Sequence, residues 1–253
     1  MYFNTDKITM YYEKYGASKN VIIILPGWGN TRPTFDYMIN YFKDKYTIYI
    51  FDYPSFGKSK IPDYDLTIYD YALYISRFIE ENNITNPILI AHSFGGRIAA
   101  LLTGYYKENI SKQVLIDIAG IKPRKTLVQL LKQFTYKLLK KLTIILPNKI
   151  KLAARTKLLK LFGSKDLNDL PKAMLKTFKN IINEDLSEHL KSITCESLLI
   201  WGKLDKDTPI KDGLKIKKSI NNSEIIIYEQ ASHFPYLEYP ILTNRIIEEF
   251  IKK

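Results

Sequence analysis

The feature that most restricts the fold is an alternation of short, apolar or β-branched runs with longer stretches of helical periodicity. The runs Val21 to Leu25, Tyr46 to Phe51, Ile88 to Ala91, Val114 to Ile118, Leu198 to Trp201 and Ile225 to Tyr228 are bounded by turn residues. Continuous apolar character over four to six residues reads as strands buried on both faces. Helical patterns at Thr34 to Phe42, Leu66 to Asn82, Gly96 to Tyr106, Ile210 to Ile220 and Pro240 to Ile251 lie between and after them. Strand and helix in turn imply an α/β chain, a mostly parallel sheet with helices on both faces. Ahead of this pattern, Lys7 to Tyr15 reads as an antiparallel strand.

The alternation breaks after Gly120. Residues 121–191 read as an inserted helical segment, leaving a core domain made of residues 1–120 and 192–253. Within the insert, helices are separated by Pro147, Gly163 and Pro171. Leu127, Leu131, Phe134, Leu138, Leu142 and Ile145 recur every three or four positions, and Lys132, Lys137, Lys140 and Lys141 fall mostly between them, which describes a basic amphipathic helix.

The charge of the chain is concentrated in this insert. Residues 121–191 hold 17 basic and 5 acidic residues, which accounts for the whole net charge of +12. Lysines spaced along an amphipathic helix, without an aromatic-studded platform, argue against a nucleic-acid partner. Their simplest reading is a solvated face; the more specific one is weak contact with an anionic membrane surface. The single cysteine, Cys195, excludes an internal disulfide, the first residues lack a basic head followed by an apolar core, and eighteen apolar residues never run together. A soluble, cytoplasmic protein is expected.

The stretch Ala91-His92-Ser93-Phe94-Gly95-Gly96-Arg97 places a serine where a buried strand passes into a helix. A strained turn of this kind lifts a hydroxyl above the strand end, and small neighbours let the bend close. A serine hydroxyl needs a base to take its proton. Of the three histidines, His92 adjoins the serine and reads as packing, and His189 lies in the insert. His233 stands in the loop between the last strand and the last helix, and is the candidate base. An acid should orient its imidazole. The segment WGKLDKDTP, after a strand, offers Asp205 as the choice and Asp207 as a competitor that could cap the following helix, while Asp117 at the preceding strand end is a further alternative. Glycines in LPGWGN let main-chain N–H groups face a ligand, so the amides of Trp28 and Phe94 are the candidate oxyanion donors.

Taken together and in this order, LPGWGN, DYPSFGKS, AHSFGGR and the pair WGKLDKDTP with ASHFPYLEYP resemble the α/β-hydrolase superfamily. The resemblance implies an α/β-hydrolase fold in which Ser93, Asp205 and His233 form the catalytic triad and the insert is a cap that sets substrate choice. Three positions depart from the usual pattern. Ala91 replaces the first glycine of G-x-S-x-G, Pro26 stands where many relatives have histidine, and Ser55 stands where a glycine is usual.

The implied activity is hydrolysis of a carboxylic ester or related acyl bond, without metal or cofactor, on a small molecule with an apolar acyl or aryl group. A carbon–carbon bond hydrolase or cofactor-independent lyase is the alternative on the same fold, since Gly95-Gly96-Arg97 resembles a segment of some lyases of this superfamily. A non-catalytic ligand-binding relative is the third reading.

Overall fold

The computed structural model describes residues 1–5, 7–122, 127–162 and 174–253. They divide into two compact units, one of Met1–Ile121 with Asn183–Lys253 and the other of Lys122–Ile182. The described elements run β1 (Tyr2–Asn4), β2 (Thr9–Tyr15), β3 (Val21–Leu25), α1 (Asp36–Phe42), β4 (Thr47–Asp52), α2 (Ile68–Glu81), β5 (Ile88–His92), α3 (Phe94–Gly104) and β6 (Lys112–Ile116). They continue through α4 (Leu127–Leu142), α5 (Asn148–Phe162), α6 (Leu175–Asn183), α7 (Ser187–Lys191), β7 (Glu196–Gly202), α8 (Ile210–Ser219), β8 (Ser223–Tyr228), α9 (Pro235–Glu238) and α10 (Pro240–Lys252).

The first unit is built on an eight-stranded sheet of order β1-β2-β4-β3-β5-β6-β7-β8. The two N-terminal strands pair antiparallel and the remaining six run parallel. Sequence and burial agree on the cause. The apolar runs of β3, β5 and β7 are buried almost throughout, as strands covered on both faces must be, whereas β2 alternates buried and half-buried residues as an outer strand does. One layer of the core joins Ile22, Ile24, Ile48, Ile90, Val114 and Ile200 of the sheet to Phe42 of α1 and to Ile247 and Phe250 of α10. The helix α2 starts at a capping box in which Thr67 and Asp70 satisfy each other's main-chain N–H groups.

The sheet order also places the site. The chain passes from β3 to β4 on one side and returns to β5 on the other, so the loops after β3 and β5 leave the sheet side by side, at the crevice where open α/β sheets bind ligands. Three glycines let loops close there. A Cβ on Gly95 would lie 2.0 Å from Leu25 O, one on Gly96 2.2 Å from Ile118 Cβ, and one on Gly202 1.9 Å from Ser232 O.

Several boundaries differ from those read in the sequence. The short β1 carries too few residues for a periodicity, the Thr34 segment begins as a 3₁₀ turn before α1, and α3 starts at Phe94, not Gly96. The second unit ends at Ile182, nine residues before the expected boundary, because α7 belongs to the first unit: the main chain of His189 closes on Gly104, and Leu186 N donates to Gly120 O at 2.9 Å. Within the second unit Pro147 separates a 3₁₀ turn from α5, while Gly163 and Pro171 lie outside the described residues. Leu131, Phe134, Leu138 and Leu142 of α4 share one stripe, and each is at least half exposed. Among the described residues no helix is long and apolar enough to cross a membrane.

Replacement of Gly95 tests the closest of these approaches at the serine turn. Gly95→Ala sets a methyl group against main chain that cannot rotate away, and is expected to cost about 1–3 kcal/mol, measured as a lower urea midpoint at unchanged slope.

Candidate active site

Ser93 occupies the turn from β5 into α3 with φ 49° and ψ −112°, a conformation that a serine resists. Neighbouring main chain holds it there. Ser93 N donates to Ile116 O at 3.1 Å, and Ser93 O accepts from Gly96 N at 3.0 Å and from Ala119 N at 2.9 Å. The position of the missing glycine, Ala91, is fully buried and tolerates the methyl group. At Ser55, by contrast, φ is 81°, the left-handed region in which glycine carries no penalty, which explains why glycine is the usual residue there.

The loops after β7 and β8 bring two of the expected partners to this serine. His233 Nε2 lies 3.0 Å from Ser93 Oγ, and His233 Nδ1 lies 2.7 Å from Asp205 Oδ2. The loop of Asp205 is built around its own carboxylate: Oδ1 accepts from Asp207 N at 2.7 Å and Thr208 N at 3.1 Å, and Oδ2 accepts from Thr208 Oγ1 at 2.6 Å. The loop of His233 is tied by Glu238, whose carboxylate accepts from Ser232 N and Ser232 Oγ.

Asp207 is exposed, and no side chain caps α8 at Pro209. Of the two aspartates, Asp205 is the one whose carboxylate lies against the His233 ring. Nothing in WGKLDKDTP singles out Thr208, yet its hydroxyl is the second donor to Oδ2.

Electrostatics favour one charge at this place. Burial acts to raise the Asp205 carboxyl, but the hydrogen bonds from His233 and Thr208 outweigh it and hold the group below the usual range for aspartate. The adjoining His92 is fully buried, and desolvation, helped by the nearby His233, pushes its imidazole from 6.5 down to about 3. Its Nε2 lies 2.8 Å from His233 O, an acceptor, so Nε2 carries the proton of the neutral ring. His92 is thus more than packing: it anchors the main chain of His233, and its ring lies 4.8 Å from the His233 ring.

The wall beside the serine is aromatic. The Trp28 ring meets Phe94 edge-on at 5.2 Å and Phe56 at 4.8 Å, and Tyr53 and Tyr71 close on the other edges of Phe94. Phe94 is the first residue of α3, so the helix offers its N–H no partner. Arg97, one turn further, is buried and donates to Glu184 O at 3.0 Å, with burial lowering its guanidinium to about 10. Asp205, Asp207 and His233 each present a donor atom within 4.8 Å of the others. A cation held there would have to displace the bond between His233 and Asp205.

A protein family described as alpha/beta hydrolase fold matches residues 20–240 of this chain. A pimeloyl-(acyl-carrier protein) methyl ester esterase of Wigglesworthia glossinidia brevipalpis is 26% identical over 264 residues, spanning 96% of this chain and 98% of its own length. A 2-hydroxy-6-oxononadienedioate/2-hydroxy-6-oxononatrienedioate hydrolase of Pseudomonas putida is 22% identical over 271 residues, spanning 96% and 92%. Among solved structures, an esterase from Exiguobacterium antarcticum matches with a TM-score of 0.75 at 22% identity, covering 97% of this chain and 96% of that one, a likeness of fold.

The state of His92 makes acid stability a test of the site. Its value falls from 6.5 unfolded to about 3 folded, so the stability supplied by its neutral ring is complete above about pH 6.5 and is lost as pH falls toward 3. A neutral His92→Gln variant is expected to lose less melting temperature than the parent between about pH 6.5 and pH 4.5. Parallel curves over that range would mean that His92 is not held neutral.

Proposed function

The chain belongs to the α/β-hydrolase family, and from that premise we propose that it is a serine hydrolase cleaving a carboxylic ester through an acyl-enzyme. The observation that carries this reading is the unbroken relay from Asp205 Oδ2 through His233 to Ser93 Oγ, with contacts of 2.7 and 3.0 Å. Ser93 Oγ attacks the ester carbonyl while His233 Nε2 takes its proton, and Asp205 stabilises the imidazolium and fixes the Nδ1–H tautomer. The amides of Trp28 and Phe94 hold the oxyanion, at about 2.7–4 kcal/mol for each such donor.

The tetrahedral adduct then collapses: the bond to the leaving oxygen breaks, and the imidazolium returns its proton to the departing alcohol. Water, deprotonated by His233, attacks the acyl carbon and releases the acid and Ser93. The aromatic wall of Trp28, Phe56 and Phe94 supports an apolar acyl or aryl group in the substrate.

The carbon–carbon hydrolase among the relatives keeps a second reading in play. It would be favoured by a cation free to receive a substrate carboxylate, and the buried Arg97 already donates to Glu184 O, which supports the neutral ester instead. A panel of chromogenic esters with acyl chains of two to sixteen carbons, run beside carboxylate-bearing carbon–carbon substrates, separates the two. A fluorophosphonate probe is expected to label Ser93, and Ser93→Ala should abolish labelling and turnover together. Asp205→Asn should lower kcat by a factor on the order of 10⁴, against a few-fold for Asp207→Asn. Unchanged turnover in Ser93→Ala would sink the mechanism, and reversed effects of the two aspartates would make Asp207 the acid.

The second unit supports a further reading, that it contacts an anionic lipid surface. Residues 122–182 hold 16 basic and 2 acidic residues, and the exposed stripe of Leu131, Phe134, Leu138 and Leu142 lies on the same helix as the exposed Lys140 and Lys141. Like charge works against a second copy docking by this unit. Each lysine near such a surface contributes about 1 kcal/mol, screened beyond about 8 Å at physiological salt. Sedimentation with phosphatidylserine vesicles should show binding that salt reverses and that glutamate at Lys132, Lys137, Lys140 and Lys141 weakens. Absence of binding at low salt would reduce the lysines to a solvated face.

A further inference from the structure

Asp117 directly follows β6 and is fully buried. Its backbone takes φ 42°, a left-handed conformation unfavourable for a residue other than glycine, and is held there by Asp117 N donating to Ile200 O at 3.0 Å. Its carbonyl accepts from Thr208 Oγ1 at 3.0 Å, the same hydroxyl that reaches Asp205 Oδ2. Its side chain uses one oxygen, Oδ1, to accept from Gly202 N at 3.0 Å. The other, Oδ2, is buried and receives no donor among the described residues, while the carboxyl of Asp205 lies within hydrogen-bonding reach of this side chain.

This inventory decides which of two neighbouring carboxyl groups is charged. The Asp205 carboxylate accepts from His233, Thr208 Oγ1, Thr208 N and Asp207 N, whereas that of Asp117 accepts from one amide. Two carboxyls in one buried place do not both ionise, and the better solvated one keeps the charge. We propose that Asp117 is a positioning residue that stays protonated and donates through its carboxyl to Asp205, so that a single negative charge faces His233. The inference rests on the reading of Asp205 as the acid that orients His233.

The surroundings agree. Burial, with the neighbouring Asp205 charge, pushes Asp117 up to about 9 against the bond from Gly202. The other ionisable groups that face it are Glu238, whose charge acts in the same direction, and Tyr236, whose phenol burial keeps neutral. The consequence lies at alkaline pH. Loss of the Asp117 proton breaks its bond to Asp205 and sets two carboxylates against each other, so that Asp205 no longer holds the imidazole of His233 in place and the relay to Ser93 weakens.

The test uses Asp117→Asn, an isosteric group that can still accept from Gly202 and donate to Asp205 but cannot ionise, and Asp117→Ala, which can do neither. The rate of fluorophosphonate labelling at Ser93 reports on the relay without reference to any natural substrate. In the parent it should fall as pH rises through about 9. Asp117→Asn should label within about threefold of the parent at pH 7 and lose that alkaline fall, while Asp117→Ala should label slower by a factor on the order of ten or more.

Melting temperature supplies an independent readout. A folded value raised above 3.8 means that the protonated acid favours the fold, so its contribution is present below about pH 4 and is lost as pH rises to about 9. The Asn variant never loses it, and its advantage over the parent should widen through that window and then level off. The same alkaline fall and a parallel melting curve in Asp117→Asn would overturn the proposal. Absence of Ser93 labelling in the parent would instead overturn the serine hydrolase reading, and the melting curves would still decide whether Asp117 holds a proton.

Discussion

The constraint on which the site depends is the backbone conformation of Ser93. A serine with φ 49° and ψ −112° has left the favoured regions, and such a residue persists only where its surroundings fix it. Here the fixing groups come from three neighbouring strands. Ile116 and Ala119 bind its main chain from the β6 side, Gly95 lets the turn settle onto the end of β3, and His92 reaches from β5 to the main chain of His233. The sheet order is what makes these contacts available, because β3, β5 and β6 are consecutive in space although not in sequence.

Around that fixed hydroxyl, three groups that could each carry a charge are placed within one small region. His92 is kept neutral by burial and Asp205 is kept ionised by its donors. With Asp117 holding a proton, the imidazole of His233 faces one carboxylate and no competing cation. In the proposed mechanism, proton transfer from Ser93 creates one ion pair in a place already arranged for it, which is the economy of a preorganised site. Thr208 serves both sides of the arrangement, since its one hydroxyl lies 2.6 Å from Asp205 Oδ2 and 3.0 Å from Asp117 O. A hydroxyl has a single proton, so it cannot donate fully to both, and the shorter contact is the one to Asp205.

Much of this was legible in the sequence, for identifiable reasons. Buried parallel strands announce themselves as unbroken apolar runs, so β3, β5 and β7 could be read directly, as could the serine between β5 and a helix with two glycines. The order of Ser93, Asp205 and His233 along the chain then singled out the residues that the fold brings together. What could not be read depends on hydrogen-bond direction and burial. His92 looked like packing because nothing in AHSFGGR reveals that its Nε2 will meet a carbonyl 141 positions away. Thr208 carried no signal of its own in WGKLDKDTP, and α7 looked like part of the insert because its contact with Gly104 is made by main chain, which leaves no signature in side-chain pattern.

The two units differ in the kind of information their sequences carry. In the first, 22 basic residues face 24 acidic ones, so the chemistry rests on local donors and on burial, with little contribution from net charge. In the second, two acidic residues accompany sixteen basic ones and the helical repeat is amphipathic, which specifies a surface but no particular set of contacts. The serine turn is therefore written in positions with no room for a larger side chain, such as Gly95 against Leu25 O. A helix such as α4 needs only to keep its stripe and its charge, and many sequences do so equally well. The fold and its serine turn are consequently what this chain states most plainly, and they are stated by the residues least free to vary in size.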